Sequence, residues 1–505
     1  DEIERYREHI AHHYHLAGDE RGIDHLIRLG ERAKDDYANE GAEQFYRDAL
    51  SLIDDKSERA KTVNKGLADV YMVVGRYEEA LTNYKEALKL TDDDLERAEL
   101  KGNIGETLRM MGEYDDALEF IEEGISLTGE DDVERCRLLY IKGWMFVRQG
   151  EYDEAIEVFD RERELARRLG EDKERGQALH DLGTVHYHKG NYDEAEKYFT
   201  RAIKLRHETG DVKGLSASFN NIGLVYKNQG DLEKALEQYE KCLEIAEEIG
   251  GKSTIAMALN NIGVIHKNRG DLKKALEYYE QTLEIKREIG DKYGIAMALN
   301  NIGIIFSIQG DLDKAMDHYQ RTMAIQKEIG EKYGVAMSHT NMGENHFERG
   351  EYDEALEHFR MSMEIADEIG ERWLCIYNMC GKAETMVKKG EVTKAEESAA
   401  EALDIALDIG AKVEEGMSRR TLGIVYREQE GWEEAEEEFK TAVQIFQEKG
   451  YKRELSRTYF EYGLMCISKG EKEEGRTHLE KAIEMFETMN MKPDIEKAEE
   501  ALSSI

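Results

Sequence analysis

The stretch SFNNIGLVYKNQGDLEKALEQYEKCLEIAEEIG at residues 218–250 decides the fold, because the chain repeats it. ALNNIGVIHKNRGDLKKALEYYEQTLEIKREIG follows at 258–290 and ALNNIGIIFSIQGDLDKAMDHYQRTMAIQKEIG at 298–330, each 40 residues further on. Outward from these units, a small residue in the second half of each marks the period. It falls at Ala42, Ala80, Ala117, Ala155, Ala195, Ala235, Ala275, Ala315, Ala355, Ala395, Ala435 and Gly475. That is twelve units, with a degenerate one expected before them. Within one unit, Leu259, Ile262, Val264 and Ile265 recur at helical spacing, a Gly-Asp pair follows at Gly270 and Asp271, and a second apolar stripe runs through Ala275, Leu276, Tyr279, Leu283 and Ile285. Asp271 is placed to cap the second helix, expected over 272–289, and Gly290 to end it in a left-handed turn. No segment alternates with period two, so almost no strand is expected.

The composition agrees with a chain of helix pairs. There is one proline, Pro493, in 505 residues, where average usage of about 5% would give roughly 25, and there are 44 glycines. Most of these glycines fall in three slots: inside the first helix, at the turn within the unit, and after the second helix. Glycine therefore does the helix-stopping that proline does elsewhere. Pro493 stands where a last, capping helix at 494–502 would begin.

The pattern W-x2-L-G-x2-Y followed by A-x3-F is matched by Phe219, Ile222, Gly223, Tyr226, Ala235 and Tyr239, and it recurs from about residue 23 to 486. On these residues the chain resembles the tetratricopeptide repeat (TPR) family. Its period of 40 exceeds the usual 34 and the closing proline is missing, a longer form similar to the repeats of the Pins/LGN adaptors, kinesin light chain and bacterial peptide-sensing regulators. The resemblance implies an all-α, right-handed superhelical solenoid of antiparallel helix pairs. Its expected parts are junction helices and a degenerate repeat at 1–40, the array at 23–486 and a C-terminal cap at 487–505. A second resemblance covers residues 10–50, through the elements at 11–14, 30–33 and 37–40. These look like the junction between a STAND- or AAA-type signalling ATPase and a following TPR array. It implies a nucleotide-binding module ahead of Asp1 and a sensor role for this chain.

In TPR arrays the first helices line the concave face. Residues three before, one after, four after and five after the first-helix glycine then form the groove wall. Those positions hold His180, Asn220, Asn260 and Asn300; Leu224, Val264 and Ile304; Tyr187, Lys227 and Lys267; and Asn228 and Asn268. Met257, Met297 and Met337 lie one turn earlier. Asparagine offers a donor and an acceptor, so a row of them can pair with the backbone of an extended peptide. Methionine adapts to varied apolar partners. The two lysines could meet a carboxylate. The expected ligand is an extended or helical protein segment with some acidic character. Against this stand structural readings: the second asparagine of each pair (Asn221, Asn261, Asn301, Asn341) suits an inter-repeat bond, the first could line a solvated wall, and the methionines could pack in the core.

Charge narrows the partners further. Seventy Lys and Arg against 109 Asp and Glu give 70 − 109 = −39. Such a surface repels phosphate backbones and anionic lipid, so neither nucleic acid nor a membrane is an expected partner. Five cysteines without a CxxC pair suggest a reduced, cytoplasmic setting. The spacing of His9, His12 and His13 could in principle suit a metal, but no HExxH or cysteine companion supports it. Gly251-Lys252-Ser253-Thr254 fails as a phosphate-binding loop because Ala246 stands where the first glycine is required. No catalytic residue, metal or cofactor is expected. The cluster Arg419, Arg420, Arg427 and Lys388 could be a second contact for an acidic ligand, but is rather expected to form salt bridges with neighbouring glutamates. The alternative to a binding scaffold is a self-associating structural module whose groove receives its own terminus.

Overall fold

The computed structural model describes residues 9, 12–35, 38–53, 57–489 and 491–505. The described residues are mostly α-helical, joined by short turns, with no strand among them. They form twelve helix pairs, from Ile23–Asp35 with Asn39–Ser51 to Lys452–Lys469 with Lys472–Thr488, and a final unpaired helix Lys492–Ser503. Short links make each pair antiparallel neighbours. Pro493 sits in the first turn of the last helix, where a missing N–H costs nothing. Of the junction segment expected at 1–40, residues 1–8, 10, 11, 36 and 37 lie outside the described residues. Glu20–Gly22 forms a short 3-10 turn ahead of the first pair, capped by Asp19.

Each pair closes the same way. Every alanine of the 40-residue anchor is fully buried. The first-helix glycine lets an aromatic ring of the second helix lie on the helix backbone. A Cβ at Gly303 would come within 2.7 Å of the Tyr319 ring, and one at Gly183 within 2.9 Å of Phe199. Small residues at these two slots draw the helices together, and the ring fills the space between them. The turn is set by Gly270 and its equivalents in left-handed conformation, then by an aspartate. Asp231, Asp271 and Asp311 accept from the backbone N–H of Lys234, Lys274 and Lys314 at 3.1, 3.2 and 3.3 Å.

Contacts divide the chain into two compact units, Asp1–Val225 and Tyr226–Ile505. In the first, one core runs from Ile23 and Leu26 through Tyr46, Val63 and Ile104 to Met145. The second holds several adjoining clusters, among them Leu272, Ala275, Tyr279, Ile302 and Ile305, and further on Leu422, Val425, Phe439 and Met465. Each cluster joins residues of successive repeats, as expected where every unit buries its apolar faces against its neighbours.

One turn breaks the glycine rule. Glu430 has φ 61, the only described non-glycine residue with positive φ, at a turn where other repeats place glycine. A side chain in this conformation costs about 1 kcal/mol. Glu430→Gly is therefore expected to raise the thermal midpoint of the second unit, by about 0.5–1 kcal/mol of stability after the added freedom of the unfolded chain is subtracted. Thermal melts of the two proteins at equal pH check this, and an unchanged or lowered midpoint would contradict it.

Candidate protein-binding surface

The first helices carry the candidate residues, and the asparagine rows explain how these helices align. Asn301 Nδ2 donates to Asn260 Oδ1 at 2.9 Å, and Asn341 Nδ2 donates to Asn300 Oδ1 at 2.7 Å. The second asparagine of one repeat thus reaches back to the first asparagine of the repeat before it, 41 residues earlier. In the first unit the same step links Asn221 Nδ2 with His180 Nε2 at 3.2 Å. The asparagine ladder is thus a hydrogen-bond ladder between repeats. It spends the Oδ1 of Asn260 and Asn300 but leaves their Nδ2 groups, which have no partner among the described residues.

His180 and Asn220 lie differently from a groove wall. His180 is buried, packs edge-on to Phe199 with ring centroids 5.3 Å apart, and has its Nδ1 3.2 Å from Ser218 Oγ. Burial pushes its pKa down to about 3, so it stays neutral. Asn220 is buried and donates to Asn221 Oδ1 at 3.1 Å. Open-wall positions for these two are corrected accordingly: both are interior residues. Tyr187 is half-buried against His188 and Tyr192.

In the second unit the wall is more accessible. Val264 and Ile304 are half-buried and pack on the core below, and Asn228 and Asn268 are exposed. Leu224, in the first unit, is also half-buried. Met257 and Met297 are exposed, whereas Met337 packs against Ala336, Ala366 and Leu374. The methionine row thus divides between surface and core.

Lys227 and Lys267 stand apart electrostatically. Most lysines in this acidic chain are paired: Lys252, Lys292 and Lys332, for instance, meet Glu288, Glu328 and Glu368 at 2.9, 2.7 and 2.6 Å. No carboxylate among the described residues lies within ion-pair distance of Lys227 or Lys267. Burial pushes the Lys267 ammonium down to about 8, with repulsion from Arg453 and Lys227 adding to it. Burial alone lowers Lys227. Two partly desolvated cations with no carboxylate in ion-pair reach among the described residues are a place on this wall where an anion would gain.

The C-terminal basic cluster is already neutralised. Arg420 reaches Glu454 at 2.5 Å, Arg427 reaches Glu461 at 2.6 Å and Arg419 reaches Glu438 at 2.9 Å, while Lys388 is exposed. Ion pairs fill it, as the sequence suggests.

Two features have no local signature in the sequence. A cavity of about 600 Å³ in the first unit is lined by Lys34, Lys61, Lys65 and Arg137 interleaved with carboxylates. Its lysines are already paired with the next repeat, Lys34 with Asp69 at 2.9 Å and Lys65 with Glu99 at 2.7 Å. The second is a buried polar cluster of Glu162, Asp181 and Arg206.

One grouping of potential metal ligands exists among the described residues, Cys466, Glu474 and His478, with ligand atoms within 4.8 Å. Cys466 and His478 are twelve residues apart, the offset at which other repeats stack a ring of the first helix on a ring of the second. His186–Tyr198, His266–Tyr278, Phe306–His318 and His346–His358 stand at 5.3, 5.4, 5.5 and 5.2 Å. The thiol thus occupies a packing slot. No helix among the described residues is long and apolar enough to cross a membrane.

Stacked helix pairs, with alanine and glycine at fixed slots and inter-repeat ladders, define a repeat scaffold built for protein interaction. A tetratricopeptide repeat family model matches residues 58–128, 135–208, 214–288, 254–328, 334–408, 374–448 and 414–488. The chain belongs to the tetratricopeptide repeat family. Among solved structures, it is similar to a STAND protein with a tetratricopeptide repeat sensor from Pyrococcus horikoshii. That match has a TM-score of 0.51 and 14% identity, and covers 84% of this chain and 72% of that one. It is also similar to apo RapI (TM-score 0.49, 17% identity, 74% of this chain and 98% of that one). A third is BtubC (BKLC) from P. vanneervenii (TM-score 0.40, 23% identity, 43% and 92%). No curated protein sequence matches at a significant level.

Proposed function

We propose that the chain is a non-catalytic scaffold whose second unit binds an extended or helical protein segment bearing acidic side chains. The observation that carries this reading is the pair Lys227 and Lys267, partly desolvated and without a carboxylate in a chain that has 109 of them. A ligand carboxylate would supply the missing charge. The Nδ2 groups of Asn260 and Asn300 would hold backbone carbonyls, and Met257 and Met297 would cover apolar side chains. The strong overall negative charge works as a filter, repelling acidic chains that do not reach these two cations. Beyond about 8–10 Å that repulsion is screened at physiological salt.

The array would serve as the ligand-sensing arm of a larger cytoplasmic signalling ATPase. Two things support this: the resemblance at residues 10–50, and the likeness in fold to a STAND protein whose repeats are named as its sensor. A nucleotide-binding module encoded upstream of Asp1 would support the arm, and a different upstream module would remove it.

Panning a random 15-residue peptide library against the chain tests the binding reading. Recovered peptides should be enriched in Asp and Glu relative to the input, and the enrichment should vanish with Lys227→Glu and Lys267→Glu together. Enrichment in Lys and Arg, or a profile unchanged by the double variant, would overturn it.

A further inference from the structure

The second unit folds its own end back over its earlier repeats. Turn glycines with left-handed backbone mostly border open space: a Cβ at Gly230, Gly250, Gly290 or Gly330 would meet nothing within 4 Å. Gly270 and Gly310 are the exceptions. A Cβ at Gly270 would lie 2.9 Å from the Met489 carbonyl carbon and 3.1 Å from the Thr488 carbonyl oxygen, and one at Gly310 would lie 3.3 Å from Pro493. One repeat further on, Lys497 Nζ donates to Glu348 Oε2 at 2.7 Å. Three successive repeats are thus touched at matching places, near residues 270, 310 and 348, by a stretch that advances through 489, 493 and 497.

The contact has an apolar centre. Met491 is 4% exposed and belongs to a cluster with Tyr459, Phe486 and Ala498, against which Ile308, the last residue of the helix Lys292–Ile308, also packs. Ile308 comes from the host repeats and the cluster from the last repeat and the returning segment, so the two parts share an apolar contact. Gly270 lies three residues after Lys267, so the returning backbone closes on the turn that follows the helix carrying this lysine.

We infer that Met489 and residues 491–497 form an intramolecular latch across the turns at Gly270 and Gly310 and the helix end at Glu348, and that a segment reaching Lys267 enters when this latch is released. The gating part rests on the proposed role of Lys267; the closure does not. The latch gives the scaffold two states, closed on itself and open to a partner, with the ligand favouring the open one by its affinity for the uncovered wall. Its contacts with the host repeats are the Thr488 and Met489 backbone at Gly270, Pro493 at Gly310, the apolar cluster at Ile308 and one half-exposed ion pair. That leaves release within reach of a modest binding energy.

The test uses the full chain. Carbodiimide treatment of the wild type should condense Lys497 with Glu348 into an amide, recovered as a linked peptide from the monomer. Met491→Asp, which forces a charge into the apolar contact, should lower that yield and raise amide exchange at residues 491–497 and at the turns near 270 and 310, by about tenfold or more. Lys497→Glu, whose side chain is half-exposed and cannot disturb the core, should raise the same exchange more mildly. A Glu- and Leu-containing 15-residue peptide labelled with fluorescein should bind the Met491→Asp chain more tightly than the wild type. A link that forms only between isotopically distinct copies, or exchange at the two turns unmoved by both variants, overturns the latch. A latch that opens while peptide affinity stays equal overturns the gating. Failure of the peptide to bind either form overturns the Lys267 reading and the gating with it, and leaves the closure to stand on linkage and exchange.

Discussion

Arg420→Met is expected to cost the second unit about 3–5 kcal/mol, the penalty of stranding buried charge. Arg420 is 6% exposed, bonds Glu454 at 2.5 Å and stands 3.8 Å from Glu384. Burial works to raise the Glu454 pKa, but Arg420, Arg457 and Arg453 together hold it at about 2. A carboxylate whose folded pKa is depressed contributes stability above its unfolded value near 4.3, and this is lost as pH falls toward 2. Without Arg420 that contribution shrinks, and Glu384 loses its nearest cation. Amide exchange of the helices Arg372–Lys388, Lys412–Glu428 and Lys452–Lys469 reads the loss locally, which suits a repeat array better than a single melting transition. Arg420→Met with Glu454→Gln should recover part of it, since the pair is then removed together. Equal exchange in wild type and Arg420→Met would show that the network does not hold these helices.

Asp181→Asn should have the opposite sign. Asp181 is fully buried and accepts from Gln177 Nε2 at 3.0 and 3.1 Å. Burial pushes its carboxyl up to about 7, against the pull of Gln177, Arg206 and Trp144. Between the unfolded value near 3.9 and about 7, the unfolded chain releases this proton while the folded chain keeps it. Stability of the first unit therefore falls as pH rises through that window and levels off above it. Asparagine has no proton to release and keeps an acceptor for Gln177. At pH 7.5 the variant is expected to be more stable by up to about 4 kcal/mol, the full value of a three-unit shift, and to match wild type near pH 4. Burial raises the neighbouring Glu162 in the same direction, so wild type should retain some slope from that group. Thermal melts of both proteins at pH 4 and pH 7.5 decide it, and parallel profiles would contradict the assignment.

The helix pairs were readable because their determinants are local. Glycine in the first helix, alanine in the second and a Gly-Asp turn recur at fixed intervals, and each carries a steric reason for its place. The role of the second asparagine was readable in kind, as an inter-repeat bond, but not its partner, which lies 41 residues away on another helix. His180 and Asn220 show the limit of register arguments. They share the register of Asn260 and Asn300, yet the bulk of Phe199 and the hydroxyl of Ser218 draw His180 inward, and sequence spacing does not weigh such packing. The unpaired state of Lys267 was not visible either. It depends on which carboxylates fail to reach it, and on Arg453 arriving from a helix 186 residues later. The contacts of Met489, Pro493 and Lys497 with the earlier repeats join positions more than 140 residues apart, so no period or motif announces them.

As proposed, the second unit binds acidic segments through Lys227 and Lys267, which no carboxylate among the described residues pairs. The most direct test of this claim is an equilibrium titration, by fluorescence anisotropy, of a Glu- and Leu-containing 15-residue peptide and its Lys- and Leu-containing counterpart against wild type and the Lys227→Met, Lys267→Met double variant. Each charge-assisted hydrogen bond contributes about 1.5–3 kcal/mol, so the double variant should bind the acidic peptide at least about tenfold more weakly, with helicity unchanged. Equal affinity in the two proteins, or preference of the wild type for the basic peptide, would contradict the claim.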